Sequence, residues 1–228
     1  MKALIAGAGI GGLATGIALT QAGLEVDIFE RSPQLREVGA GLMIWPNGTR
    51  SLQSLGVEIP SQKVRAIVLR TQSGGVLMDS PVDDISRRYG SDVKFVHRAD
   101  LQAALARRLG SEALHLGAEV VAFEDSGDHV QVRLGDGRTQ SGDLLVGADG
   151  LRSAVRAQLL GDGDPIYLGS TIWRGVVSSD GIPLERGVGV NWVGRGAEFL
   201  AWAKGPGPEA TRRIYWTDSA IGRQRCRC

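Results

Sequence analysis

The chain has 228 residues, and its 26 lysines and arginines against 25 aspartates and glutamates give a formal net charge of +1. This balance offers no basic surface to nucleic acid or to an anionic membrane. No apolar run approaches the ~20 residues of a membrane-spanning helix, and the glycine-rich start does not resemble a signal peptide. The two cysteines, Cys226 and Cys228, form no disulfide framework. We therefore expect one or two domains of a cytoplasmic protein whose partners are small molecules.

The beginning of the chain predicts two strands joined by a helix. The apolar run Ala3–Ala6 is typical of a buried parallel strand. A glycine-rich turn then precedes a predicted helix over Leu13–Gln21, which Gly23 closes. A second strand over Val26–Phe29 leads into Glu30. Together these elements form one βαβ unit of a parallel sheet.

The glycines of this turn have the spacing of a dinucleotide-binding motif. In the order G-x-G-x-x-G, Gly7 permits the tight turn, Gly9 admits a pyrophosphate to the backbone, and Gly12 lets the helix pack closely on the strand. The helix N-terminus directs N–H groups at phosphate oxygens. Glu30 stands where an acidic side chain accepts hydrogen bonds from a ribose diol. The pattern predicts a dinucleotide site, and the alternative is an ordinary βαβ unit with a glycine turn.

The middle of the chain departs from the βαβ pattern. The sequence predicts a helix over 46–55, a hairpin of strands 64–70 and 76–78, a strand over 93–96, and a helix starting near Asp100. The stretch 119–139 alternates as antiparallel strands. The three histidines have no metal-ligand spacing; they are His97, His115 and His129.

A further buried parallel strand is predicted to end at Asp149 and Gly150, before a helix over 153–160 that Ser153 caps. Open α/β sheets place ligands at the carboxyl ends of such strands. The predicted order is a βαβ unit, a three-strand meander and a returning parallel strand. One half of a plain nicotinamide-binding Rossmann fold does not require the meander.

Several motifs then carry a specific resemblance. They are GAGIGG at 7–12, Glu30-Arg31, R-x-x-G-A-G-L at 36–42, WPN at 45–47, HRADLQ at 97–102 and DLLVGADGLRSAVR at 143–156. On these residues the chain resembles the class A flavoprotein monooxygenases, FAD-dependent aromatic hydroxylases of the p-hydroxybenzoate and salicylate hydroxylase type. The resemblance implies an α/β protein. Its Rossmann-like FAD-binding fold of the glutathione reductase type, with a parallel sheet and a β-meander, would adjoin a mostly antiparallel substrate-domain sheet.

The resemblance also implies the cofactors and the chemistry. FAD would lie extended with its ADP end on the first βαβ unit, and NAD(P)H would bind transiently to reduce it. Reaction with O2 would give a C4a-hydroperoxyflavin that hydroxylates an aromatic or heteroaromatic ring. The family needs few acid–base side chains, so no catalytic residue is assigned, and the resemblance is compatible with a homodimer. By resemblance, the cofactor-binding residues are Gly7, Gly9, Ile10, Gly11, Gly12, Glu30, Arg31, Arg36, Gly41, Leu42, Arg98, Gln102, Val120 and Asp149.

Three other functions stay open. The chain is alternatively a catalytically inactive relative that binds FAD or another nucleotide, or a flavin-dependent reductase of the same superfamily that reduces a C=C bond. An NAD dehydrogenase is a more distant rival, because it has no use for the meander and the Asp149 motif.

The resemblance divides the chain into two domains and a tail. Residues 1–70 and 93–162 would form the FAD-binding domain, 71–92 and 163–220 part of a substrate-binding β-sheet domain, and 221–228 a tail. Strands over 167–177, 187–193, 197–203 and 211–216 would build the second sheet. Arg174 would orient an anionic or carbonyl-bearing substrate. Its position, where the urate hydroxylase branch is expected to have asparagine, argues against urate.

Tryptophans in these strands either line an aromatic pocket or, as the residue type favours, pack in a sheet; they are Trp173, Trp192, Trp202 and Trp216. Alternation puts Arg174 and Trp173 on opposite faces.

One family motif is missing from the sequence. The second Gly-Asp motif of the family, of the form L-x-G-D-A-A-H, has no match in the chain. We therefore expect a C-terminally truncated family member that holds the ADP half of FAD better than the flavin ring.

Overall fold

The computed structural model describes residues 1–35, 40–178, 184–203 and 213–221, with only the backbone for 177–178 and 213–221. The elements, in chain order, are β1 (Lys2–Ala6), α1 (Ile10–Gln21), β2 (Glu25–Glu30), β3 (Gly41–Ile44), α2 (Pro46–Ser54), β4 (Ser61–Lys63), β5 (Ala66–Thr71), β6 (Val76–Pro81), α3 (Asp83–Tyr89), β7 (Lys94–His97), α4 (Arg98–Leu109), β8 (Leu114–Leu116), β9 (Val120–Asp125), β10 (Val130–Leu134), β11 (Thr139–Gly142), β12 (Leu144–Gly147), α5 (Ala154–Leu160), β13 (Ser170–Ser178), β14 (Val188–Val193), β15 (Ala197–Ala203) and β16 (Arg213–Ile221).

The chain divides into two compact units. Unit 1 comprises Met1–Glu37, Leu55–Glu58 and Ala99–Ile166, and unit 2 comprises Val38–Ser54, Ile59–Arg98 and Tyr167–Cys228. No helix in the described part of the chain is long and apolar enough to cross a membrane.

Unit 1 contains the predicted parallel sheet. Its strand order is β12-β1-β2-β8, and each neighbouring pair is parallel. The central strand β1 is almost completely buried from Ala3 to Ala6, as its continuous apolar run predicts. The meander is confirmed as the antiparallel sheet β11-β10-β9. The predicted α/β fold with a parallel sheet and a meander is therefore confirmed.

Unit 2 contains the predicted, mostly antiparallel sheet. Its order is β13-β16-β15-β14-β5-β6, in which only β14 and β5 pair in parallel, and a small sheet β3-β7-β4 accompanies it. The rings of Phe95 and Trp202 stack at a centroid distance of 5.1 Å. A Cβ at Gly189 would lie 2.1 Å from the Trp202 ring. The absence of a side chain at this position therefore makes room for the indole.

The boundary between the units differs from the predicted one. Residues 40–54, 59–70 and 93–98, which the sequence assigns to the first domain, fall in unit 2. The reason is strand pairing, since β3 pairs with β7 and β5 pairs with β14, more than a hundred residues further along the chain. Local sequence patterns do not reveal such long-range pairs.

Helix α3 was missed, although the sequence carries its signals. Asp83 and Asp84 lie in its first turn and Arg87 and Arg88 in its last, and Gly90 ends it with φ 66°. Acidic residues at the N-terminus, basic residues at the C-terminus and a closing glycine are the usual marks of a helix.

A polar cluster joins three strands of the parallel sheet in unit 1. The Asp27 carboxylate lies 2.7 Å from Lys2 Nζ and 2.7 Å from His115 Nε2. Burial raises the pKa of Asp27, but hydrogen bonds with His115 and Lys2 outweigh it and hold the pKa below its ordinary value. Because the folded chain lowers this pKa, the stabilisation is present above the unfolded pKa of about 4 and is lost as the pH falls through the folded value.

We expect Asp27→Asn to lower the free energy of unfolding by about 1 kcal/mol at neutral pH, since it removes the charge from a partly buried cluster. The difference between the wild type and the variant should shrink as the pH falls from about 5 to about 3. Urea unfolding across this range measures it. Glu124→Gln, at an exposed site of the meander, is the control for a lost negative charge. A stability difference that does not change with pH would contradict the assignment.

Candidate functional site

The glycine turn between β1 and α1 is held by contacts between backbones. Gly7 has φ +97°, and its N–H donates to the carbonyl of Phe29 at 2.7 Å. A Cβ at Gly7 would lie 2.5 Å from the carbonyl oxygen of Ala148, and a Cβ at Gly12 would lie 1.9 Å from the carbonyl oxygen of Gly7. Neither position has room for any side chain, so the fold itself requires both glycines.

Gly9 and Gly11 have a different environment. A Cβ at either position would meet no atom within 4 Å, and neither has a positive φ. Among the glycines whose surroundings the structure describes, only Gly163 shares this combination. The fold gives no steric reason for these two glycines, whereas a ligand that approaches the backbone closely does.

The N-terminus of α1 has free hydrogen-bond donors. No described side chain caps the helix at Gly9, and the first helical hydrogen bond runs from Leu13 N–H to the Gly9 carbonyl. The N–H groups of Ile10, Gly11 and Gly12 therefore have no acceptor within the helix. Open space beside Gly9 and Gly11 together with uncapped donors fits the pyrophosphate of a dinucleotide.

The predicted ribose acceptor, Glu30, stands at the end of β2 and is already oriented by the protein. Its Oε2 accepts a hydrogen bond from Ala8 N–H at 2.8 Å, and its Oε1 accepts one from Ser32 N–H at 2.9 Å. A carboxylate offers about four lone-pair sites, so each oxygen can accept a further hydrogen bond. The side chain is thus suited to bind a ribose hydroxyl while it holds the turn.

Gln102, on α4, contacts the same turn. Its Nε2 donates to the carbonyl of Ala8 at 2.8 Å, and the side chain is only 7% exposed. Sequence reasoning placed Gln102 at the cofactor through the HRADLQ motif, but it did not identify Ala8 as the partner of both Gln102 and Glu30. Nothing in the sequence marks a backbone group as an acceptor.

Asp149 follows the strand that pairs with β1, and its carboxylate faces α5. It accepts hydrogen bonds from the Ser153 hydroxyl and, through Oδ2, from Ala154 N–H at 2.7 Å and Val155 N–H at 3.3 Å. Ser153 in turn accepts from Arg156 N–H, which makes Ser153 the predicted cap of the helix. In this arrangement Asp149 fixes the turn that lies against Gly7, and its predicted contact with a cofactor stays a prediction.

The remaining predicted residues are divided between the units. In unit 1, Val120 is buried in the core between the parallel sheet and the meander, and Arg31 is exposed. Gly41, Leu42 and Arg98 belong to unit 2. Arg36 lies outside the described residues.

Gly41, Leu42 and Arg98 come together where β3 meets β7. Gly41 pairs with His97 and Leu42 with Val96. Arg98 N–H donates to the Ala40 carbonyl at 3.0 Å. A Cβ at Gly41 would lie 1.9 Å from the Phe95 ring, so the absence of a side chain makes room for this ring, and the predicted contact of Gly41 with the cofactor stays a prediction.

Strand register separates the tryptophans of unit 2. Arg174 is aligned through β16 with Leu200, which lies on the same face as Trp202. Trp173 is aligned with Phe199, which pairs directly with Trp192 on the opposite face. A single pocket lined by all the tryptophans is therefore wrong. Trp216 belongs to a strand described by its backbone alone.

Comparison with known proteins gives concordant matches. The family model of the FAD binding domain matches residues 1–163. The chain is 41% identical over 225 residues to the aurachin C monooxygenase/isomerase of Stigmatella aurantiaca, covering 96% of this chain and 57% of that protein. It is 35% identical over 208 residues to 3-hydroxybenzoate 6-hydroxylase 1 of Aquipseudomonas alcaligenes, covering 86% and 53%. It thus spans about half the length of these curated relatives.

A solved structure extends the match to the fold. The crystal structure of Klebsiella pneumoniae HpxO complexed with FAD and uric acid has a TM-score of 0.88 at 30% identity, covering 99% of this chain and 58% of that one.

Gly12→Ala should destabilise the ligand-free chain by about 3 kcal/mol or more, because the new methyl group would overlap the Gly7 carbonyl. Gly11→Ala is the matched control, since its methyl group meets nothing and alanine favours the helix. It should leave the melting temperature unchanged or raise it. Thermal unfolding monitored by circular dichroism measures both. Equal melting temperatures for the two variants would contradict the packing described here.

Proposed function

Because the chain belongs to the FAD-binding-domain family of the class A flavoprotein monooxygenases, we propose that it acts in the hydroxylation of a small aromatic or heteroaromatic ring, with FAD as cofactor and O2 and NAD(P)H as co-substrates. The observation that carries the proposal is the turn between β1 and α1. There, open space beside two glycines and uncapped helix donors lie next to an oriented carboxylate.

Residues of unit 1 would hold the ADP half of FAD. The N–H groups of Ile10, Gly11 and Gly12 would donate to the pyrophosphate, whose charge the helix N-terminus favours. Glu30 would accept hydrogen bonds from the ribose hydroxyls through the lone pairs that Ala8 and Ser32 leave free. In this role these groups bind and orient the cofactor.

When bound, FAD would supply the redox chemistry with O2, and the protein would supply binding and orientation. The contribution of unit 2 would be recognition of the ring substrate. Arg174 is exposed on the sheet face that also carries Trp202. A guanidinium there would pair with a carboxylate or phenolate on the ring. The names of the relatives include a hydroxybenzoate hydroxylase, whose substrate is an aromatic acid.

Glu30→Gln tests the nucleotide site. The amide keeps the size of the side chain but loses the charge and one acceptor, so we expect affinity for both ADP and FAD to fall about tenfold or more. Isothermal titration or quenching of flavin fluorescence measures the affinity. Glu25→Gln, at the other end of β2, is the control and should bind as the wild type does. If the affinity of Glu30→Gln for ADP and FAD equals that of the wild type, the assignment of Glu30 as the ribose acceptor is wrong.

Oxygen uptake tests the proposed reaction. The chain would be incubated with FAD, with NADH or NADPH, and with hydroxybenzoates or urate in turn. We expect uptake that requires both the nicotinamide and a ring compound, with a product heavier by one oxygen atom. Omission of FAD is the control. If FAD binds but no ring compound is oxidised, the proposed hydroxylation is wrong; ring-independent uptake with only hydrogen peroxide as product would contradict it as well.

A further inference from the structure

Two side chains from distant parts of unit 1 hold the peptide groups on either side of the Ala8 Cα atom. Glu30 accepts from the N–H of Ala8, which belongs to the peptide before it, at 2.8 Å. Gln102 donates to the carbonyl of Ala8, which belongs to the peptide after it, at 2.8 Å. These partners lie 22 and 94 residues away in the sequence. Ala8 itself is 0% exposed.

This arrangement restrains both backbone dihedrals of Ala8. Rotation about φ would move the N–H away from the Glu30 carboxylate, and rotation about ψ would move the carbonyl away from the Gln102 amide. Because Ala8 is buried, water does not replace either hydrogen bond, and a broken bond leaves an unsatisfied polar group. The turn is therefore fixed before any ligand arrives.

The fixed turn determines where the free donors of α1 lie. Gly9 follows Ala8 directly in an extended conformation, with φ −68° and ψ 179°, and immediately precedes the first residue of α1. The N–H of Ala8 is already used by Glu30. Holding the carbonyl of Ala8 thus sets the direction in which Ile10, Gly11 and Gly12 present their N–H groups.

We propose that Gln102 is a positioning residue that acts through the Ala8 carbonyl and presets the glycine turn for the cofactor phosphates. The inference rests on the proposed function for the identity of the ligand. The side chain must donate a hydrogen bond, so an amide fits the position, whereas an ionised carboxylate of the same length would face the Ala8 carbonyl with a second acceptor. Gln102 and Glu30 then restrain the turn from opposite sides of Ala8.

Gln102→Met tests the proposal, because methionine keeps the length of the side chain and removes the donor. We expect faster amide hydrogen exchange over residues 9–13 in the ligand-free chain. We also expect affinities for ADP and for FAD to fall by the same factor, on the order of tenfold. A residue that contacted only the flavin half would weaken FAD alone.

Arg108→Met is the matched control. Arg108 lies on the same helix, and its Nε donates to the Leu55 carbonyl at 3.1 Å, so this variant also removes a bond from α4 to a backbone carbonyl, though not one of the glycine turn. It should leave ADP affinity and exchange over residues 9–13 as in the wild type.

The outcomes separate this inference from the proposed function. Loss of FAD affinity in Gln102→Met, with unchanged ADP affinity and unchanged exchange, would overturn it in favour of direct contact with the cofactor. Unchanged exchange and unchanged affinities would overturn it outright. If the wild-type chain binds neither ADP nor FAD, the proposed function fails. The exchange rates of the ligand-free variants would still show whether Gln102 holds the turn.

Discussion

The contact of Gly7 with two other stretches of backbone is the constraint on which unit 1 depends. A Cβ at Gly7 would lie 2.5 Å from the Ala148 carbonyl oxygen on one side, and the Gly7 carbonyl fills the space beside Gly12 on the other. Strand β1 and helix α1 therefore meet backbone to backbone, and so do strand β1 and the residue that follows β12. Protein interiors are close-packed, so a single added methyl group has nowhere to go. This contact keeps the helix N-terminus at the carboxyl edge of the sheet, where open α/β sheets bind ligands.

In the proposed function, Glu30 links the stability of the turn to its capacity to bind the cofactor. Its carboxylate receives hydrogen bonds from Ala8 and Ser32 in the absence of any ligand, so its orientation is determined by the fold. A ligand that binds an already oriented acceptor loses less conformational entropy on association. In the proposed function the same side chain therefore contributes both to the shape of the turn and to the affinity for the cofactor. Its loss should affect both, whereas loss of a purely ligand-binding residue would affect affinity alone.

The sequence predicted the elements of unit 1 well because they depend on local patterns. The buried run of β1, the glycine spacing and the Ser153 cap each have a signal within a few residues, and the structure confirms all three elements. Unit 2 was harder, since its assembly depends on pairs such as β5 with β14 that are remote in sequence. The hydrogen bond from Gln102 to Ala8 was likewise hidden, because its acceptor is a backbone atom 94 residues away.

Glycines in the described part of the chain differ in their physical role, and the sequence does not distinguish these roles. Gly7 and Gly12 let one stretch of backbone contact another. Gly41 makes room for the Phe95 ring, and Gly189 makes room for the Trp202 ring. Gly9 and Gly11 have neither a neighbouring atom nor a positive φ to explain them. A Cβ at Gly7 or Gly12 would clash with the backbone, whereas a Cβ at Gly9 or Gly11 would meet no atom within 4 Å. The indication of a ligand therefore comes from Gly9 and Gly11 and from the helix donors beside them, and not from the glycine content of the motif as a whole.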